Sequence, residues 1–384
     1  MLSLIGCSRP ATPPSPQLAS GAADAVLGLS STTDGAQTVL AKSVTLLPAL
    51  LRLATTTPPV AATDAALGGL VNLSHDPAAA AGLRSLGAIP RLMDALRDDD
   101  GEDTAAPSSL RAERRLGLLA NLTAEEAGAE ALLGGPAASP AGTANLARLL
   151  GAFLSGGAST DAVAPLLTNL TRTPAGRALL LDSGGEAGGL AGGLAAAASQ
   201  LLAGGASTTR RAGCAAALRN CCLAAAQAQA AVEEEEEADE EEEEEEEKVC
   251  DPATAAAAAA ALREGTARMG AVLSPAVLRP ALIALCGNIA ALNPGAEEGG
   301  PANPAPIPPP DADEDVREAL AEAVLSLAGT APGRAALWDV AAPEALRVAY
   351  VEEEGPYVCE AMEKTARLFL ENATGGVEDE VVVE

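Results

Sequence analysis

Aromatic residues make up only 1% of this 384-residue chain. With 48% hydrophobic residues there is enough apolar material for a sizeable core, but it must be built from Leu, Ala and Val. Ala and Leu favour helix, and strand-forming aromatics are scarce, which points to an all-α fold. Lysine occurs three times, at Lys42, Lys248 and Lys364, and histidine once, at His75. Against 53 acids, 24 Lys and Arg leave a formal net charge of −29. Such a surface repels phosphates, disfavouring nucleic acid and anionic membranes as partners and favouring a basic protein. The seven cysteines are odd in number and form no CxxC pair, so neither a disulfide framework nor a zinc site is expected. A reducing setting is expected. No run of about 18 apolar residues reads as a membrane span. Met1–Cys7 lacks the basic start of a secretory signal.

What the chain does have is a repeat. Leu70-Val71-Asn72-Leu73-Ser74, Leu119-Ala120-Asn121-Leu122-Thr123, Leu167-Thr168-Asn169-Leu170-Thr171 and Leu218-Arg219-Asn220-Cys221-Cys222 share one pattern, with asparagines 49, 48 and 51 residues apart. Spacing of this size marks a helical solenoid. Upstream of Asn169, Val163, Leu166, Leu167 and Leu170 form a stripe at i, i+3, i+4, i+7, and Cys214, Ala217, Leu218 and Cys221 repeat it. The asparagine falls about 110° round the helix from the stripe, at the edge of the buried face. Further on, Pro174-Ala175-Gly176-Arg177 recurs within Ala331-Pro332-Gly333-Arg334, which puts Ser326 at the asparagine position of a late repeat.

One repeat is legible in full. Asp76-Pro77 caps and opens a helix that runs to about Leu86, and Gly87 ends it in the left-handed conformation. Ala88-Ile89-Pro90 opens a second helix to about Arg97; Asp98–Pro107 is a polar loop; Ser109–Leu122 is the third helix. Three helices per repeat make the expected fold an armadillo/HEAT-type right-handed helical solenoid with disordered insertions. The expected organisation is a disordered leader at 1–37, N-terminal repeats at 38–232, an acidic low-complexity insertion at 233–249, a divergent helical repeat at 250–292, a Pro-rich linker at 293–310, C-terminal repeats at 311–372 and an acidic tail at 373–384. The run Glu233–Glu247 holds 14 acids and is expected to be solvated and extended by self-repulsion, with only local helix.

No catalytic, cofactor or metal site is expected. A lone His75 has no nucleophile or metal partner in view. Cys214, Cys221 and Cys222 read as small buried apolar residues rather than a redox site. The Gly-rich stretch Gly184–Gly193 follows no strand and lacks the Gly-Lys-Ser/Thr of a phosphate loop. The Asn-x-Ser/Thr triplets match glycosylation sequons but lie in expected helices without a secretory signal. Two readings of the repeated asparagines stay open. An amide can bind an extended peptide backbone in a groove, or it can bond to a neighbouring helix and fix repeat stacking.

Leu166-Leu167-Thr168-Asn169-Leu170-Thr171 with Pro174-Ala175-Gly176-Arg177, and Arg210-Arg211-Ala212-Gly213 leading to Leu218-Arg219-Asn220-Cys221-Cys222, resemble the Hgh family of armadillo-repeat proteins. So do Pro310-Asp311-Ala312-Asp313, Val316-Arg317 and Thr330-Ala331-Pro332-Gly333-Arg334. Where the family carries a Leu-Gln-Tyr-Leu-Pro segment and a Lys-Arg-Glu run, this chain has a Gly/Pro-rich stretch, 293–309. The resemblance implies a cytoplasmic chaperone adaptor. It would assist folding of translation elongation factor 2 together with the TRiC/CCT chaperonin and prefoldin. The alternative is a generic armadillo scaffold or transport-type adaptor that binds linear peptide motifs. Candidate partner-binding residues are Asn72, Asn121, Asn169 and Asn220, with Arg114 and Arg219 beside them.

Overall fold

Ala and Leu alone would make helix almost anywhere, so Ser, Thr, Asp, Pro and Gly decide where each helix starts and stops. A computed structural model describes residues 15–56, 61–99, 109–155, 160–181, 192–242, 267–287 and 309–374, and among them every regular element is helical, with no strand. After α1 (Pro16–Ser30), the helices come in threes. The first triplet is α2 (Thr33–Leu40), α3 (Ser43–Ala54) and α4 (Thr63–Leu73), and the second is α5 (Pro77–Ser85), α6 (Ala88–Asp99) and α7 (Ser109–Leu122). The third is α8 (Glu126–Leu133), α9 (Pro140–Ser155) and α10 (Val163–Thr171), and the fourth is α11 (Pro174–Leu181), α12 (Gly193–Ser199) and α13 (Thr208–Glu242). A helical segment at 267–272 precedes α14 (Pro275–Cys286) and α15 (Glu314–Ala328). The last triplet is α16 (Ala331–Asp339), α17 (Ala342–Ala349) and α18 (Pro356–Thr374).

The second triplet matches the sequence reading closely. Asp76 accepts the Ala79 N–H at 2.8 Å as N-cap, and Gly87 takes φ +69° between α5 and α6. Elsewhere the structure departs from expectation. Of the segment 1–37 read as a disordered leader, residues 15–37 are described and most are helical, in α1 and α2. Ser15 caps α1, Pro16 opens it, and Ala22, Ala23 and Val26 are buried where α1 packs on α4. The Pro/Ser/Ala bias hid a helix stabilised by tertiary contact. The local helix allowed for the acidic run is a continuation of α13, which extends as far as Glu242. Once the first turns of α13 are packed, each further Glu extends an existing helix at little cost. Of the segment read as a Pro-rich linker only 309–310 are described, and the acidic tail beyond Thr374, like residues 100–107 of the polar loop expected at 98–107, lies outside the described residues.

The chain divides into two compact units, residues 1–176 and 177–384. In the first, α1 packs on α4, α4 on α7 and α7 on α10, so the third helices form one row. Small residues let these helices approach closely: a Cβ on Gly68 of α4 would come within 2.9 Å of the Leu27 side chain of α1. The second unit has a row α13–α15–α18 and a parallel row of second helices, α12–α14–α17.

The corner from third helix to the next first helix is built the same way repeatedly. Thr32, Thr173 and Thr330 each accept, through Oγ1, the N–H of a glycine three residues on, at 3.2, 3.1 and 3.1 Å. A Cβ on those glycines, Gly35, Gly176 and Gly333, would lie 2.1, 2.1 and 1.9 Å from the carbonyl oxygens of Leu29, Leu170 and Leu327. Gly128 meets Leu122 in the same way. The Pro-x-Gly-Arg and Pro-Gly-Arg signatures therefore encode close backbone contact at a corner, which only glycine permits.

Candidate protein-binding surface

Asn72, Asn121 and Asn169 each lie near the end of their helix, half-buried, and reach back to the preceding helix of the row α1–α4–α7–α10. Asn121 Nδ2 donates to Ser74 Oγ at 2.9 Å and to the Val71 carbonyl at 3.4 Å. Asn169 Nδ2 donates to the Ala120 carbonyl at 2.9 Å and to Thr123 Oγ1 at 3.2 Å. Asn72 Nδ2 donates to Ser30 Oγ at 3.1 Å. Asn121 and Asn169 each take the carbonyl one residue before the previous asparagine and the hydroxyl two residues after it. A carbonyl can only accept, so the amide nitrogen must face the neighbouring helix. Thr123 Oγ1 spends its own proton on the carbonyls of Leu119 and Ala120, which leaves a lone pair for Asn169. The Asn-x-Ser/Thr triplet that imitates a glycosylation sequon is thus a stacking device shared between successive repeats.

The outward side of the amide is different. Among the described residues no donor reaches Oδ1 of Asn72, Asn121 or Asn169, and all three side chains are half-exposed. One acceptor per repeat therefore remains available along the row α4–α7–α10. Asn220 holds the same register on α13, also half-buried. Ser326, in the asparagine position on α15, donates instead to the Glu322 carbonyl of its own helix.

The two candidate arginines are engaged within the fold. Arg114 Nη1 donates to the Asp64 carbonyl at 2.6 Å, beside an Arg111–Asp64 ion pair at 2.9 Å. Arg219 pairs with Glu322 across α13 and α15 at 2.9 Å, both half-exposed. Other residues that carry the family resemblance also act as fasteners. Arg211 Nε lies 2.5 Å from Asp311 Oδ2, whose side chain is 4% exposed. Arg317 donates to the Asp311 carbonyl at 2.7 Å and grips both oxygens of buried Glu353, at 2.8 and 2.9 Å. Asp313 caps α15 through the Val316 N–H. Burial pushes the Glu353 carboxyl up, but hydrogen bonds from Arg317 and from the N–H groups of Gly355 and Glu354 outweigh it and hold it below the ordinary range.

His75 is exposed. Cys214, Cys221, Cys222 and Cys286 are free and buried. Burial pushes the Cys221 thiol up to about 12 against the opposing pull of Arg177. Among the described residues no group of three His, Cys, Asp or Glu side chains could hold a metal, and no helix is long and apolar enough to cross a membrane.

One feature escaped the sequence reading. Four of the chain's five aromatic residues lie between Trp338 and Phe369. Trp338 is 57% exposed and meets Phe369 edge-on, ring centroids 5.6 Å apart. With Leu346, Tyr350, Met362 and Leu370 they line an apolar groove of about 640 Å³ on α16, α17 and α18. The crowding of aromatics into one stretch of an aromatic-poor chain was the available signal.

Fold and site together define an all-helical protein of repeated three-helix units with a row of amide acceptors. A family model described as "Domain of unknown function (DUF383)" matches residues 103–243, a stretch that contains α7 to α13. No curated protein matches the chain.

Proposed function

We propose that this protein is a client-binding chaperone adaptor on an armadillo-type right-handed solenoid, and not an enzyme. The carrying observation is the asparagine row, in which each amide spends its N–H groups on the neighbouring helix and keeps an acceptor outward. Such a row offers regularly spaced contacts to a protein segment without demanding a particular sequence. By the family resemblance, the client is translation elongation factor 2 and the co-workers are the TRiC/CCT chaperonin and prefoldin, in the cytoplasm. The strongly acidic surface favours a protein client over nucleic acid or membrane, and no cofactor is called for. The test is affinity purification of the tagged full chain from cytosol, with partners quantified against a tag-only control. Joint enrichment of elongation factor 2 and chaperonin subunits is expected. Enrichment of neither refutes the inherited function while leaving the helical fold untouched.

The unused Oδ1 acceptors of Asn72, Asn121 and Asn169 also favour a second reading, an armadillo scaffold that binds linear motifs. An extended peptide would present main-chain N–H groups to that row. Displacement of the captured protein by a short unstructured peptide supports this reading. Selective capture of incompletely folded over native elongation factor supports the first.

A further inference from the structure

We draw no further inference here: the strongest candidate, the apolar groove beside Trp338 on α16, α17 and α18, is an unpartnered face, and nothing in the structure shows what covers it.

Discussion

Asn121 offers the sharpest test of what the repeated amides do. Its Nδ2 makes two hydrogen bonds, to Ser74 Oγ at 2.9 Å and to the Val71 carbonyl at 3.4 Å. A short neutral bond contributes about 1 kcal/mol net and a long one less, so Asn121→Ala should cost about 1.5 kcal/mol. For a unit of this size that lowers the melting temperature by about 4 °C. Asn121→Asp keeps the shape but sets a carboxylate against a carbonyl oxygen that has no proton to give. It should cost about 3 kcal/mol, more than deletion of the whole group. Ser74→Ala in a double-mutant cycle with Asn121→Ala should return a coupling of about 1 kcal/mol. Urea denaturation followed by circular dichroism measures the totals. Amide hydrogen exchange in α4 and α7 tests whether the loss is local to their contact. The stacking argument fails if the Asp variant is no worse than the Ala variant, or if the coupling is below about 0.3 kcal/mol. Unchanged stability with lost client capture would instead assign the amide to recognition alone.

Three further outcomes follow from the same geometry. Gly176→Ala places a Cβ 2.1 Å from the Leu170 carbonyl oxygen and should destabilise by about 3 kcal/mol, whereas Gly151→Ala, on α9 with nothing within 4 Å, should stabilise by about 0.5–1 kcal/mol; thermal melts that give both the same sign refute the corner argument. Ala341 sits at φ +60° between α16 and α17, where α5 and α6 have Gly87, so Ala341→Gly should raise stability by about 0.5 kcal/mol in the same assay. Glu353 has a folded pKa below its unfolded value, so its contribution is fully present above about pH 4.3 and fades as pH falls through the folded pKa. Glu353→Gln should therefore destabilise at neutral pH by about 2 kcal/mol and converge with the unaltered chain in acid; a pH-independent difference in urea midpoints would contradict the assignment.

What the sequence made legible was local. Asp76-Pro77, Gly87 and the start of α7 were readable because a cap, a left-handed turn and a helical period each involve residues a few positions apart. The asparagine spacing was equally plain, yet its meaning was not. The hydroxyl two residues after Asn72 and after Asn121 belongs to the asparagine of the next repeat, 46 residues on for Thr123 and Asn169, and no local rule pairs them. The same holds for Arg211 with Asp311, 100 residues apart, and Arg317 with Glu353, 36 apart. Helix α1 was missed because its composition reads as disorder and only α4 reveals its buried side.

The linking device also explains why the repeats diverge after Asn220. A stacking link needs a hydroxyl two residues after one asparagine and an amide in the following repeat. After Asn220 the first place is taken by Cys222, buried and free, and the second by Ser326, which bonds within its own helix. Both halves are gone together, so neither is left as a buried polar group without its mate. What joins α13 to α15 instead is the Arg219–Glu322 pair, reinforced from the start of α15 by Arg211–Asp311 and onward to α18 by Arg317–Glu353. The chain thus uses two kinds of fastener: the first unit adds amide-to-hydroxyl links to ion pairs such as Arg111–Asp64 and Arg84–Glu125, and the second joins these helices by guanidinium and carboxylate. The residues that looked most like a family signature around Arg211, Asp311 and Arg317 are the second kind. What these fasteners leave unused in the first unit is the outward amide oxygen of Asn72, Asn121 and Asn169.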